Sequence, residues 1–291
     1  MACPDCFSGT THVGNPTGSV ETIHNIPTYV TKPDEGATPK GLIIYLSDAF
    51  GWDFVNNRIL ADHYAKRGQF LVYVPDFMNG HAAPLTALDL LHKIMAPGSW
   101  LTALVYKPLW TMRAMSIIIP FVYYNREAVA APRVYNFFKA LRTSAPPFPT
   151  DDFKIGAAGF CWGGKYAIDL CADRPSTRIE RHSSQKTTGI QPLVDCGFTA
   201  HPSNVKMPVD IEAATLPLSI AVGDKDMAMK SPLIQQMKKI LESKKSDIHQ
   251  VVIMPGAKHG FAVRAEEGEL QMSKAQEAED QAISWFNKWF T

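Results

Sequence analysis

The apolar positions of this chain change period several times, and each change predicts an element. Residues 1–19 are rich in Gly, Thr, Pro and Ser and carry no apolar period, which predicts an arm on the surface. Val20, Ile23, Ile26, Tyr29 and Val30 then fall in a stretch that suits a hairpin or edge strands. Residues 41–46 form a short unbroken apolar run, the pattern of a strand buried on both faces. A helix over residues 54–67, closed by Gly68, leads to a second such strand at 69–74. After Phe77 the alternation stops for some fifty residues of helix-compatible sequence bearing Trp100, Tyr106, Trp110, Phe121, Tyr123 and Tyr124, which reads as an insertion. Helical periodicity over 126–142 precedes a third buried strand at 153–160 and a helix running to Ala172. Strands at 193–198, 216–222 and 249–254 and helices at 232–243 and 273–289 complete the chain. Strand and helix alternate to the end, so the expectation is one α/β domain over 20–291, with a mainly parallel sheet covered on both faces and an insertion, or lid, at about 77–130.

Composition narrows the partners. The 291 residues are 46% hydrophobic and 20% charged with a net charge of +1, so no basic field exists to hold a nucleic acid. The most membrane-like stretch, residues 99–124, is broken by Lys107 and Arg113, and its uncharged pieces fall short of the roughly 18 residues of a span. A buried or lid helix pair is expected there, with no membrane partner. Five scattered cysteines exclude a disulfide scaffold, and Met1 to Cys6 show neither a basic start nor an apolar run, so a reducing, cytoplasmic setting is expected. Cys3 and Cys6 form a C-x-x-C pair with no second pair to complete a zinc site, and no metal or cofactor is expected.

Gly159-Phe160-Cys161-Trp162-Gly163 stands where the third buried strand turns into a helix. A nucleophile on such a sharp turn needs glycine two residues to either side, because Cβ atoms there have no space, and the helix N-terminus favours a thiolate. Cys171 and Cys196, on the following helix and inside a strand, read instead as small buried hydrophobes. A thiol nucleophile needs a base, and the base needs an orienting acid. Two later strands end in loops carrying Asp224 and Asp226, then His259, in the chain order nucleophile, acid, histidine. Asp226 is favoured as the acid, since it lies three residues beyond Gly223 and its loop has room to aim inward; Asp224 is the alternative.

Taken together these residues resemble the dienelactone hydrolase family of the α/β-hydrolase fold. Its G-x-C-x-G-G hallmark is matched by Gly159, Cys161, Gly163 and Gly164, with further likeness at Asp48-Ala49-Phe50-Gly51 and His259-Gly260-Phe261-Ala262. The resemblance runs from about Ile26 to the C-terminus, and the arm and insertion are similar to those of fungal-type members. It implies a hydrolase of ester or lactone bonds, working through a Cys161-His259-Asp226 triad and an acyl-enzyme. It further implies an oxyanion hole from the N–H groups of Ala49 and Trp162 and a thiol-activating carboxylate at Asp48, one methylene shorter than the usual Glu. Arg264, His201 and Phe50 are the candidates for binding substrate. The arginine that binds a substrate carboxylate in bacterial members falls at Val263 here, beside Arg264, so that pocket is shifted or lost. Thiolate chemistry and the aromatic insertion point to a small hydrophobic enol-lactone, aryl ester or thioester, handled by a monomer or homodimer. Two other readings stay open: an inactive hydrolase-fold binding protein, and a thiol redox protein using Cys3 and Cys6 or Cys161.

Overall fold

The computed structural model describes residues 14–290, apart from 186–187, 245–246 and 266–267, so Cys3, Cys6 and most of the expected arm lie outside the described residues. β1 (Ser19–Ile23) and β2 (Ile26–Thr31) form the expected hairpin, followed by β3 (Leu42–Leu46), α1 (Val55–Gly68) and β4 (Leu71–Pro75). The insertion holds α2 (Thr86–Met95), a π-helical turn at Thr102–Tyr106 and α3 (Lys107–Tyr124), and it returns through α4 (Glu127–Thr143). Then come β5 (Ile155–Phe160) and α5 (Trp162–Leu170), a small ribbon of β6 (Ile179–Glu180) and β7 (Ile190–Gln191), and β8 (Cys196–Ala200). The last third comprises α6 (Val209–Ala213), β9 (Leu218–Gly223), α7 (Ser231–Glu242), β10 (His249–Met254) and α8 (Glu269–Phe290).

Eight strands make one sheet in the order β1-β2-β4-β3-β5-β8-β9-β10, parallel from β4 to β10 and antiparallel at the β1-β2-β4 edge. β3 and β5, the unbroken apolar runs, are buried along their whole length at the centre. Both faces of the sheet are covered, as β5 itself shows. A Cβ added at Gly156 would meet Phe286 of α8, and one added at Gly159 would meet Ala167 of α5. The two positions are an odd number apart, so α8 and α5 lie on opposite faces. The chain leaves β3 for β4 on one side and returns to β5 on the other, which makes the carboxyl ends of β3 and β5 the topological switch point where such sheets bind ligands.

The strand expected at 193–198 begins only at Cys196. Asp195 is occupied otherwise, its carboxylate accepting the Ile155 N–H at 2.7 Å and pairing with the buried Arg142 at 2.6 Å. The final helix starts at Glu269, four residues earlier than its apolar period, because its first turn is solvated and polar.

The turn from β5 to α5 is one of the tightest backbone approaches among the described residues. A Cβ on Gly163 would sit 2.1 Å from the Leu46 carbonyl oxygen, and one on Gly159 would sit 2.5 Å from the Gly163 oxygen. Both neighbours are backbone and cannot rotate away. Gly163→Ala is therefore expected to destabilise the protein by about 3 kcal/mol or more. Gly36→Ala, at φ +85° in open space, should lose only about 1 kcal/mol through its backbone. Urea unfolding midpoints of the two variants check the contrast.

Candidate active site

The carboxyl ends of five parallel strands meet over the middle of the sheet. β3 delivers Ser47, Asp48 and Ala49; β5 delivers Cys161; β8 delivers His201 and Ser203; β9 and β10 deliver Asp226 and His259. Cys161 adopts φ 50° and ψ −110°, a conformation that L-residues rarely take. It is held there by backbone bonds on every side. Its N–H donates to Ala200 O at 3.3 Å, its carbonyl accepts from Gly164 N at 3.1 Å and Ser203 N at 2.9 Å, and Gly163 N donates to Ser47 O at 3.1 Å. The result is a thiol raised above the sheet at the N-terminus of α5, with Sγ 3.7 Å from Ser203 Oγ.

His259 and Asp226 are joined. The imidazole Nδ1 lies 2.9 Å and 3.0 Å from the two Asp226 carboxylate oxygens, and both side chains are fully buried. Asp226 is fixed in turn by the N–H groups of Ala228 at 2.7 Å and Met229 at 3.3 Å. Burial works against a charged His259, but the thiolate charge of Cys161 and the hydrogen bond to Asp226 outweigh it and hold this imidazole well above the usual histidine range. Nε2 is buried and makes no well-formed hydrogen bond. Asp224 points elsewhere, its Oδ1 accepting Gly256 N at 2.7 Å and tying the two loops together.

Asp48 is wholly buried, and its carboxylate forms an ion pair with the equally buried Arg264. It also accepts the Asn57 amide at 2.9 Å and the Phe50 N–H at 3.1 Å, and the Arg264 guanidinium lies 5.1 Å from the Phe50 ring centre. Burial pushes the Asp48 carboxyl up, the nearby Cys161 charge adds to that, and Arg264 and the two N–H donors oppose it. Gly260, at φ +86°, leaves the space that the Arg264 guanidinium fills, since a Cβ there would be 2.5 Å from its Nη2. No hydrogen bond engages the N–H group of Ala49 or Trp162 among the described residues.

His201 lies edge-on to His259, ring centres 5.1 Å apart, and is packed against Phe261 and Phe160. Neither of its ring nitrogens has a hydrogen-bond partner. Burial, and then the charges of His259 and Arg264, keep it well below the usual histidine range, hence neutral. Cys171 and Cys196 are buried and their thiols pushed up by burial, as small core residues would be.

Two side chains at this centre escaped the motif reading. Asn57, on α1, bridges Asp48 to the Gly51 carbonyl and the Tyr45 hydroxyl, a role visible only once α1 packs behind β3. Ser203 touches Cys161 from the loop after β8; its place just past a buried strand's carboxyl end is the signal that could have found it. Beside the site, a hollow of about 430 Å³ lies between the root of α3 (Phe121, Val122, Asn125) and Trp162 and Tyr166 of α5. The Trp162 indole N–H donates to the Asn125 carbonyl at 3.2 Å across its edge.

Comparison with known proteins agrees with this architecture. A profile described as the dienelactone hydrolase family matches residues 26–290. The hydrolase tropI of Talaromyces stipitatus is 28% identical over 286 residues, covering 98% of this chain and 95% of that one. The mouse carboxymethylenebutenolidase homolog is 25% identical over 269 residues, covering 92% of this chain and 89% of that one. In fold, the dienelactone hydrolase of Anabaena variabilis superposes with a TM-score of 0.56 at 16% identity, over 94% of this chain and 97% of that one. With the profile spanning almost the whole chain and the sheet order, elbow and strand-end site all in place, this chain belongs to the dienelactone hydrolase family, hydrolases of ester and lactone bonds on an α/β-hydrolase fold.

Proposed function

We propose that this hydrolase works by covalent thiol catalysis, with Cys161 as nucleophile, His259 as general base and Asp226 as its orienting acid. The observation that carries the proposal is the strained Cys161 backbone, which sets the thiol beside an imidazole already bonded to a carboxylate. Nε2 of His259 takes the thiol proton, and the sulfur attacks the ester carbonyl. The N–H groups of Ala49 and Trp162 receive the developing oxyanion. The carbon–oxygen bond to the leaving group breaks as His259 returns the proton, leaving an acyl-cysteine. Water, deprotonated by the same imidazole, then attacks the acyl carbon and frees the acid and the thiol.

The surroundings refine the substrate. A thiolate expels poorly an alkoxide that must be fully protonated, which favours enol-lactones, aryl esters and thioesters. Apolar and aromatic walls at the hollow, from Phe121, Val122, Trp162 and Tyr166, suit a hydrophobic acyl or ring group. Residues 20–291 act as one domain in this reading, and the insertion at 77–130 serves as the lid. Asp48 and Arg264 act as a pair: a carboxylate beside a thiol opposes the thiolate unless neutralised, and Arg264 neutralises it. Arg264 and Phe50 bind a substrate carboxylate only if it takes the place of Asp48 on the guanidinium. His201 forms an uncharged wall against His259 and a rim for the substrate.

Three measurements follow from these roles. Limiting iodoacetamide followed by peptide mapping should label Cys161 ahead of Cys171 and Cys196, with the rate rising as its thiolate forms. Exclusive labelling of Cys3 or Cys6 would favour a thiol redox role, and full hydrolytic activity in Cys161→Ala would remove Cys161 as the nucleophile.

Asp226→Asn should cut turnover by about a thousandfold or more with folding retained, because only the carboxylate holds the imidazole tautomer that accepts a proton at Nε2. Asp224→Asn, which removes only a loop tie, should remain within about tenfold of wild type in turnover. The opposite ranking would exchange their roles.

The third concerns acid stability. His201 is depressed well below 6.5, so as the pH falls through 6.5 the unfolded chain takes up a proton that the native state refuses. Stability is therefore lost on the acid side, by up to about 1.4 kcal/mol per pH unit for this one group. His259, raised above 6.5, works the other way, its stabilisation growing as the pH falls to 6.5 and fully present below it, and this contribution is common to wild type and variant. His201→Phe keeps the ring contacts and removes the titration. Denaturant midpoints between pH 7 and pH 5 should fall less steeply in the variant than in wild type, and parallel slopes would show that His201 titrates normally.

A further inference from the structure

The α2–α3 hairpin leaves uncovered the greatest concentration of apolar surface in the molecule. Thirteen of the 21 exposed large hydrophobic side chains among the described residues fall between Met95 and Tyr124. α3 and the π-helical turn before it together carry apolar side chains on both the inner and the outer side. Ala114, Ile117, Ile118 and Phe121 turn inward, while Leu104, Met112, Met115, Ile119 and Tyr123 repeat at helical spacing on the solvent side. From Leu101 to Tyr123 that outer stripe is about 33 Å long at 1.5 Å per residue. Soluble monomers seldom expose a continuous apolar face of this kind unless something covers it.

Charge identifies the cover. From the start of α2, residues 86–126 contain Lys93, Lys107, Arg113 and Arg126 against Asp89 alone, a local charge of +3 in a chain whose total is +1, and the stretch from Met95 to Tyr124 has no Asp or Glu. Trp100, 75% exposed at the hairpin tip, and Tyr106, Tyr123 and Tyr124 add the amphipathic rings that settle at a bilayer's headgroup level. None of the described helices is long and apolar enough to cross a membrane. A helix with this composition lies in the interface instead, which needs no span. A second copy placed face to face would set Lys107 and Arg113 of each copy against those of the other around the same stripe, whereas acidic headgroups would neutralise them.

We infer that the outer face of the α2–α3 hairpin docks on an anionic phospholipid surface, with Leu104 and Met112 entering the acyl boundary and Lys107 and Arg113 at the phosphates. The root of the same hairpin lines the hollow beside Trp162, so a docked molecule would open that hollow toward the bilayer, where hydrophobic esters collect. Docking itself does not depend on the proposed triad.

The test is flotation of the full-length protein with vesicles of phosphatidylcholine alone or with phosphatidylglycerol added. Wild type is expected to float with the phosphatidylglycerol vesicles and weakly or not at all with phosphatidylcholine. Leu104→Asp combined with Met112→Asp should weaken binding about a hundredfold. Lys107→Ala combined with Arg113→Ala should weaken it about thirtyfold, with the loss matched in wild type by added salt. Leu104 and Met112 are 71% and 70% exposed, so unchanged unfolding midpoints verify that these variants are folded. Failure of wild type to float, or equal flotation of the aspartate variant, overturns the proposal. A concentration-dependent dimer that the same aspartates abolish, with no flotation, assigns the face to a second copy and overturns it equally.

Discussion

The close approach of α5 to the ends of β3 and β5 is the constraint on which the rest of the centre depends. Gly163 lies so near Leu46 that no side-chain atom fits between them, and this contact fixes the helix axis over the switch point. With the helix held there, the chain can reach it from β5 only through a residue at positive φ, and that residue is Cys161. Such a conformation costs on the order of 1–3 kcal/mol. The four backbone hydrogen bonds around Cys161 and Gly163, to segments from β3 and β8, hold it in place. The strain is thus maintained by the whole parallel sheet, and the thiol's position is as rigid as the core beneath it.

That rigidity allows charges to be buried close together. Asp48, Arg264, Asp226, His259 and the neutral His201 share a region almost closed to water. Isolated, any one of the charged groups would be expelled or neutralised. Here each has a partner whose position is set by a different strand: Arg264 for Asp48, Asp226 for His259, and a thiol coupled to the imidazole and to Asp48 alike. Low dielectric strengthens these couplings, so a proton moved between Cys161 and His259 alters the field at Asp48 and His201 as well. The titration of the site belongs to the group and not to single residues.

Much of this was legible in the chain. Unbroken apolar runs located β3, β4 and β5 to within two residues, because strands covered on both faces have no polar side to blur them. The glycines around Cys161, the chain order and the loop spacing that favoured Asp226 over Asp224 singled out Cys161, Asp226 and His259 as candidates, and the fold pairs His259 with Asp226 and couples it to Cys161. The losses are of two kinds. Side chains can stand in for part of the pairing, as Asp195 does where β8 was expected to begin: its N–H still donates to Ile155 O, but its carboxylate takes the Ile155 N–H, and periodicity does not register that. Contacts made between distant elements, such as Asn57 with Asp48 or Arg264 with Asp48 across 216 positions, depend on packing that no local pattern encodes. The insertion shows a third limit. Its apolar residues promised a core, and half of them face outward, since one amphipathic period cannot distinguish a face that meets the protein from one that meets something else.

A sealed centre and an exposed apolar hairpin are two sides of one geometry. Cys161, Asp226 and His259 are each less than 5% exposed, so the proposed attack of the thiol on an ester requires movement of a covering element. The sheet cannot move, because displacing β3, β5 or β8 would release the strained turn. In the proposed function the hairpin is the part that moves. Its inner face packs Phe121, Ile117 and Ile118 on the core, and its root is tied by the Trp162 N–H to Asn125 O, the Asn125 amide to His81 O and the stacking of Tyr124 on His81. Its outer surface has no such packing and is apolar and cationic. In the proposed function, access and substrate polarity are set by one segment of some thirty residues, while the chemistry stays on the strand-end loops.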